Sequence, residues 1–296
     1  MTSNTLKQQL TALANNQAGE NPSPATIGIF DSGVGGLSIA KCIRQHLPQE
    51  QLVYVADSAY APYGDKGVEL ITERVNLIAG QLIKLNAKAL VIACNTATVN
   101  AIDQLRAQIA LPVIGVEPAI KPAARHSKSK KVALLVTSAT ATNQRFLSLV
   151  EKYSVGVEVF IQPCPGLVEL IEQGKLNSPE CTGLLQQYLH PLMTQGIDTL
   201  VLGCTHYPFL LEKIQLITGP GIKVIETATP VTRELKRQLD RHQLCAPERQ
   251  SGNIRFFTSS FTQEANLASE QVINREQYQL FSQLWQASVS LEELAV

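Results

Sequence analysis

The chain has no Cys-x-x-Cys pair, so it lacks the usual half-site of a structural zinc. It also has no apolar run approaching the ~18 residues of a membrane span. Its charges cancel, with 25 Lys and Arg against 25 Asp and Glu, so no net charge draws it to nucleic acid or an anionic membrane. KSKK at Lys128–Lys131, the one basic cluster, reads as a solvated loop. The first 25 residues are polar, rich in Asn, Gln and Thr, and end in NPSP. They lack the apolar core of a signal peptide and read as a weakly held tail, with a short helix at most over LKQQLTALA. A cytoplasmic protein is expected. A phosphate loop is missing too. Gly33, Gly35 and Gly36 of DSGVGG do not fit G-x-G-x-x-G, no P-loop lysine follows, and Asp31 would repel a phosphate. These glycines read instead as a tight turn allowing close backbone approach to a small ligand.

What remains is a soluble globular composition, 45% apolar and 17% charged over 296 residues, enough for two domains. Six cysteines are scattered through the chain and read as thiols rather than a disulfide framework. Cys42 and Cys181 fall within helix-like segments and read as inert. Eight short apolar runs, TIGIF, LVYVA, KALVIA, LPVIGV, KVALLV, VEVFI, DTLVLG and IKVIE, alternate with amphipathic stretches. Between the second and third, Ile71, Val75, Ile78, Leu82 and Leu85 recur at helical spacing on one face. Alternation of this kind predicts an α/β fold with mainly parallel sheets covered by helices.

In such folds ligands bind beyond the carboxyl ends of the strands, and there the sequence is unusual. DSGVGG, DSAYAPYGDK, CNTAT, TSATAT and CTHYP follow five of the runs. Cys94 and Cys204 each end an apolar strand and are followed by threonine, which suggests two similar halves facing each other. A cysteine at a strand end can simply pack. Two in matching settings point to chemistry. Asn95 or Thr96, and Thr205, suit helix N-caps, and a helix N-terminus lowers the pKa of a nearby thiol. Two thiols on opposite sides of one cavity could remove a proton from carbon and return one to the other face. Asp31 could hold a substrate ammonium. Ser32, Tyr63, Gly64, Asn95, Thr96 and Thr205 offer neutral donors for carboxylates. His206 could assist Cys204 or bind a carboxylate. A thiol hydrolase with Cys204 as nucleophile and His206 as base is an alternative, but it leaves Cys94 without a role. A non-enzymatic amino-acid-binding protein is another.

The stretches IGIFDSGVGGLSI, VYVADSAYAPYGDK, VIACNTAT, LPVIGVEPAI and LVLGCTHYPFL, in this order, resemble the cofactor-independent glutamate racemases. FDSGVGG and CTHYP favour glutamate over aspartate or hydantoin as substrate, and an aspartate racemase stands as the nearest alternative. The resemblance runs from about Ile27 to near Phe257. It implies interconversion of L- and D-glutamate for peptidoglycan synthesis, without cofactor or metal, in a cleft between two pseudo-twofold-related α/β domains. The domains implied are residues 26–118 with 229–296, and residues 119–228, after an extension over 1–25. Carried over by motif, Cys94 would act on the D-enantiomer and Cys204 on the L-enantiomer. Asp31 and His206 would assist the thiols, and Ser32, Tyr63, Gly64, Asn95, Thr96 and Thr205 would contact substrate. PCPGLVELIEQG matches the family's Cys-Pro segment more loosely, departing at Gly166 and Glu169, and makes Glu172 an accessory residue near His206. The N-terminal extension resembles that of members activated by UDP-N-acetylmuramoyl-L-alanine. Monomer and homodimer both remain open.

Overall fold

The computed structural model describes residues 25–262, 272–273 and 275–294. The short helix and tail expected over residues 1–25 lie outside them, apart from Ala25. All eight predicted strands form: β1 (Thr26–Asp31), β2 (Gln51–Ala56), β3 (Ala87–Ile92), β4 (Val113–Gly115), β5 (Lys131–Val136), β6 (Glu158–Pro163), β7 (Thr199–Leu202) and β8 (Lys223–Ile225). Further strands follow: β9 (Ile254–Thr258), a two-residue antiparallel pair β10 (Phe261–Thr262) and β11 (Val272–Ile273), and β12 (Leu291–Glu293). IRFFT at β9 carries a strand-like apolar run that was not among the predicted strands.

Two parallel sheets result. One has the order β12-β9-β2-β1-β3-β4 and the other β6-β5-β7-β8. The orders β2-β1-β3-β4 and β6-β5-β7-β8 are the same, with the second half of the chain repeating the first. Parallel strands covered on both faces are continuously apolar. Ile27, Ile29 and Phe30 of β1 and Leu134, Leu135 and Val136 of β5 are wholly buried accordingly.

Helices supply the cover. The amphipathic stretch after β2 becomes α1 of the numbering used here (Val68–Lys84), with Ile71, Val75, Ile78 and Leu82 buried. Helix α2 (Asn95–Gln108) follows β3, and α3 (Ala228–Arg241) leads back from β8 toward the first sheet. Cys42 and Cys181 lie in the helices Leu37–His46 and Pro179–Thr194. Lys128, Ser129 and Lys130 are exposed. Among the described residues no helix is long and apolar enough to cross a membrane.

A helix α4 (Arg275–Trp285) seals the far side of the first sheet. Phe281 is fully buried and meets Tyr54 edge-on at 6.1 Å and Phe256 at 6.2 Å, while Trp285 sits 5.1 Å from Phe256. This aromatic cluster joins the chain's end to β2 and β9. Phe281→Ala should lower unfolding free energy by about 3–5 kcal/mol. Leu216, 84% exposed, should tolerate alanine within about 0.5 kcal/mol. Urea unfolding of both variants checks the contrast, and equal effects would contradict it.

Candidate active site

In both sheets the strand order reverses between the first and third strands of the repeat. That switch point is where open α/β sheets place ligands. Asp31 ends β1 with Ser32 just past it, and Cys94 lies beyond β3. Thr137 and Ser138 follow β5, and Cys204 lies beyond β7. Apart from Asp31, the two sets face one cavity, whose wall includes Ser32, Cys94, Asn95, Thr96, Cys204 and His206. Tyr63, Gly64 and Thr205 also line it, as do Thr137, Ser138, Cys164 and Glu169.

The Cys94 corner differs from expectation. Cys94 is itself the N-cap of α2, its sulfur accepting from the Ala97 N–H at 3.4 Å. Asn95 and Thr96 are already in the first turn. The helix terminus does not activate this thiol. Burial, followed by the nearby charge of Asp31, pushes its pKa far up, because a thiolate loses its hydration there. Its S–H points to Ser32 Oγ at 3.7 Å.

Cys204 has another environment. Its sulfur lies 3.7 Å from His206 Nδ1, and His206 Nε2 meets Glu172 Oε1 at 2.5 Å. Burial works against the imidazolium. The bonds to Cys204 and Glu172 outweigh it and hold the His206 pKa well above the usual 6.5. A cation thus stands beside one sulfur and not the other. Thr205 caps no helix. The residues after it form a 3-10 turn at Tyr207–Leu210, with His206 at its N-cap.

Three of the residues expected to contact ligand have polar atoms engaged within the protein. Asp31 is fully buried and does not reach the cavity wall, since its carboxylate accepts from Gly33 N–H at 3.0 Å and Thr205 Oγ1 at 3.3 Å. The Thr205 hydroxyl is therefore engaged as well. The Tyr63 hydroxyl donates to Asp57 Oδ2 at 2.5 Å, so Tyr63 faces the cavity with ring and backbone. Ser32, Gly64, Asn95 and Thr96 remain in the wall as expected. Thr96 Oγ1 also reaches Thr137 Oγ1 of the opposite lobe at 3.0 Å. Asn95 Nδ2 donates to Val116 O at 3.3 Å, while its buried Oδ1 meets no protein donor among the described residues and is free to accept a ligand N–H.

Gly33 and Gly35 of DSGVGG do allow close approach, but to side chains of the second lobe. A Cβ on Gly33 would collide with the Glu172 carboxylate, and one on Gly35 with the His206 ring. Val34 N–H donates to Glu172 Oε1 at 2.8 Å. Among the wall residues that escaped the sequence reading are Thr137, Ser138, Cys164 and Glu169. The first two stood in TSATAT at a strand tip, and Cys164 follows β6. Among the described residues no three His, Cys, Asp or Glu side chains converge as a metal-ligand set.

A sequence profile of the Asp/Glu/hydantoin racemase family matches residues 37–235. A glutamate racemase of Ectopseudomonas mendocina is 48% identical over 229 residues, 77% of this chain and 87% of that protein. A crystal structure of a glutamate racemase isoform from Bacillus anthracis superposes with a TM-score of 0.81 at 28% identity, covering 92% of this chain and 98% of that one. The Escherichia coli glutamate racemase in complex with L-glutamate and the activator UDP-MurNAc-Ala gives a TM-score of 0.78 at 29% identity, covering 92% and 99%.

Burial raises the Asp31 pKa from 3.8 to about 6, against the pull of His206 and the Gly33 N–H. Between those values the folded chain keeps a proton that the unfolded chain has released. Stability contributed by this group therefore falls as pH rises through the window. Above it the buried carboxylate costs about 3 kcal/mol. Asp31→Asn removes the titration. Its unfolding free energy should gain on the parent's by roughly that amount between about pH 4 and pH 7, measured by urea unfolding. A difference independent of pH would refute the assignment.

Proposed function

The chain belongs to the Asp/Glu/hydantoin racemase family, and we propose that Cys94 and Cys204 are the acid–base pair with which it racemises glutamate. One observation carries this reading. The two thiols stand at equivalent strand tips of the two repeats and line the same cavity. A hydrolase needs one nucleophile, and that arrangement would leave the second thiol idle. The lobes are read as residues 26–118 with 229–296, and residues 119–228, a division that keeps each sheet whole.

Toward L-glutamate Cys204, beside the His206 imidazolium, is the base and Cys94 is the acid. Cys204 removes the Cα proton of L-glutamate. Cys94 delivers its own proton to the opposite face, and D-glutamate results. The reverse reaction exchanges the roles. The Cα proton is far less acidic than a thiol, so the intermediate must be stabilised. Ser32, Thr96 and the Gly64 backbone can donate to the α-carboxylate as charge develops there. Asn95 Oδ1, lacking a protein donor, suits the substrate ammonium in place of Asp31. Asp31 acts through Thr205 and the Gly33 turn, and Glu172 fixes the His206 ring. The D-glutamate supplies peptidoglycan synthesis in the cytoplasm. Activation by UDP-N-acetylmuramoyl-L-alanine is inferred from likeness to the Escherichia coli enzyme. Rates measured with and without that precursor decide it.

Because L- and D-glutamate have equal free energies, kcat/KM must fall equally in both directions in any variant. Rates of racemisation therefore cannot assign the thiols, but hydrogen exchange can. In D2O, Cys94→Ser should incorporate deuterium at Cα of L-glutamate only, and Cys204→Ser at Cα of D-glutamate only, with inversion slowed at least a hundredfold in each. Exchange of both enantiomers by either variant would overturn the two-base assignment. Gly35→Ala should displace the His206 ring and lower kcat/KM at least tenfold. An unchanged value would argue against a role for the ring's position.

A further inference from the structure

The carboxylate of Asp57 lies just past the tip of β2, wholly buried and outside the thiol cavity. Four donors converge on it. Arg74 of α1 supplies Nε to Oδ2 at 2.9 Å and a terminal nitrogen to Oδ1 at 2.8 Å. Ser259, beyond β9, donates to Oδ1 at 2.7 Å, and the Tyr63 hydroxyl to Oδ2 at 2.5 Å. The acceptor capacity of the carboxylate is filled. Arg74 neutralises its charge, and the guanidinium carbon stacks 4.0 Å from the centre of the Tyr60 ring.

Tyr63 opens the 3-10 turn Tyr63–Asp65, which forms one wall of the cavity. The turn is short, and on its other side Gly64 comes up against Thr137 of the second lobe. Burial and the neighbouring Asp57 carboxylate push the Tyr63 pKa far up, so the phenol keeps its proton and remains a donor. Short turns without their own ladder of hydrogen bonds depend on such side-chain anchors for a single conformation.

We propose that Asp57 is a positioning residue for racemisation, holding the Tyr63–Gly64 turn against the cavity through the Tyr63 hydroxyl, so that ligand binding depends on a carboxylate that never touches the ligand. The proposal rests on the reading of the cavity as the glutamate site.

Tyr63→Phe removes the anchoring bond and keeps the ring. Hydrogen bonds to charged acceptors are the stronger ones, so KM for both enantiomers should rise roughly tenfold or more. Loss of binding felt equally in ground and transition states leaves kcat within about threefold. A merely structural effect would lower thermal stability without this split. Asp57→Asn and the double variant complete a cycle. If the hydroxyl acts through Asp57, the second substitution adds little to the first. If the effects on KM add, the hydroxyl contacts the ligand directly and the proposal falls. Should Asp57→Asn not fold, Tyr63→Phe decides alone: a raised KM supports the proposal and an unchanged KM overturns it. The unmodified enzyme is assayed alongside for Cα exchange. No exchange there removes the reading of the cavity, whereas exchange with an unchanged Tyr63→Phe KM removes only the role of Asp57.

Discussion

A single carboxylate oxygen bridges the two lobes beside Cys204. Glu172 Oε1 accepts from the backbone of Val34 in the first lobe and from His206 in the second. Much of the surrounding chemistry follows from that junction. Val34 can reach Glu172 only if the turn around it carries no side chain at Gly33, and His206 can lie beneath the turn only if Gly35 carries none. Glu172 in turn orients the imidazole so that its other nitrogen faces Cys204. The glycines, the histidine and the thiol are therefore one mechanical unit, although they come from three distant parts of the chain. Ser38 Oγ bonding to Thr205 O at 3.1 Å strengthens the same seam.

The pair of thiols is symmetric in topology and asymmetric in electrostatics. Each follows the third strand of its repeat. Yet the first faces a buried carboxyl and a serine, and the second an imidazolium. Burial disfavours any lone charge. Around Cys94 nothing offsets it, and the helix N-terminus, reduced to a single N–H at 3.4 Å from sulfur, is too weak to do so. Beside Cys204 stands the His206 cation, its Nδ1 3.7 Å from sulfur. A racemase needs one base and one acid at any instant, and the difference between the corners suits one to each role.

Periodicity made the sheets legible. Unbroken apolar runs with reactive residues at their tips identified eight strands and both cysteines, because strand burial and strand-tip function each leave a local trace. Roles that depend on where a side chain turns left no such trace. Asp31, Tyr63 and Thr205 sit at the right tips, but their polar atoms are engaged within the protein. Cys94 displaced Asn95 and Thr96 as the cap because the strand ends one residue earlier than a polar cap would require. Glu172 was reachable only through resemblance. Its partners are far away in sequence, and no spacing rule connects residue 172 to residue 34 or 206. Strand β9 was overlooked because its apolar run lies among polar, turn-like segments.

The cavity's poverty in cations has a physical reason. Glutamate brings two carboxylates and an ammonium into a site whose wall offers His206 as a cation, and otherwise thiols, hydroxyls, an amide and backbone groups, together with the carboxyls of Asp65 and Glu169. A lysine against the α-carboxylate would hold substrate tightly before any proton moved, and binding that is equal in ground and transition states does not accelerate the chemical step. Fixed neutral donors behave differently. They bind a carboxylate modestly, and their bonds strengthen as the carbanion's charge spreads onto its oxygens in a medium of low dielectric. The requirement for that gain is that the donors do not reorient when the charge appears. Hence the side-chain anchoring behind the wall, with Thr96 held by Thr137, Thr205 by Asp31 and the Tyr63 turn by Asp57, is what allows a site of weak donors to face a weakly acidic carbon.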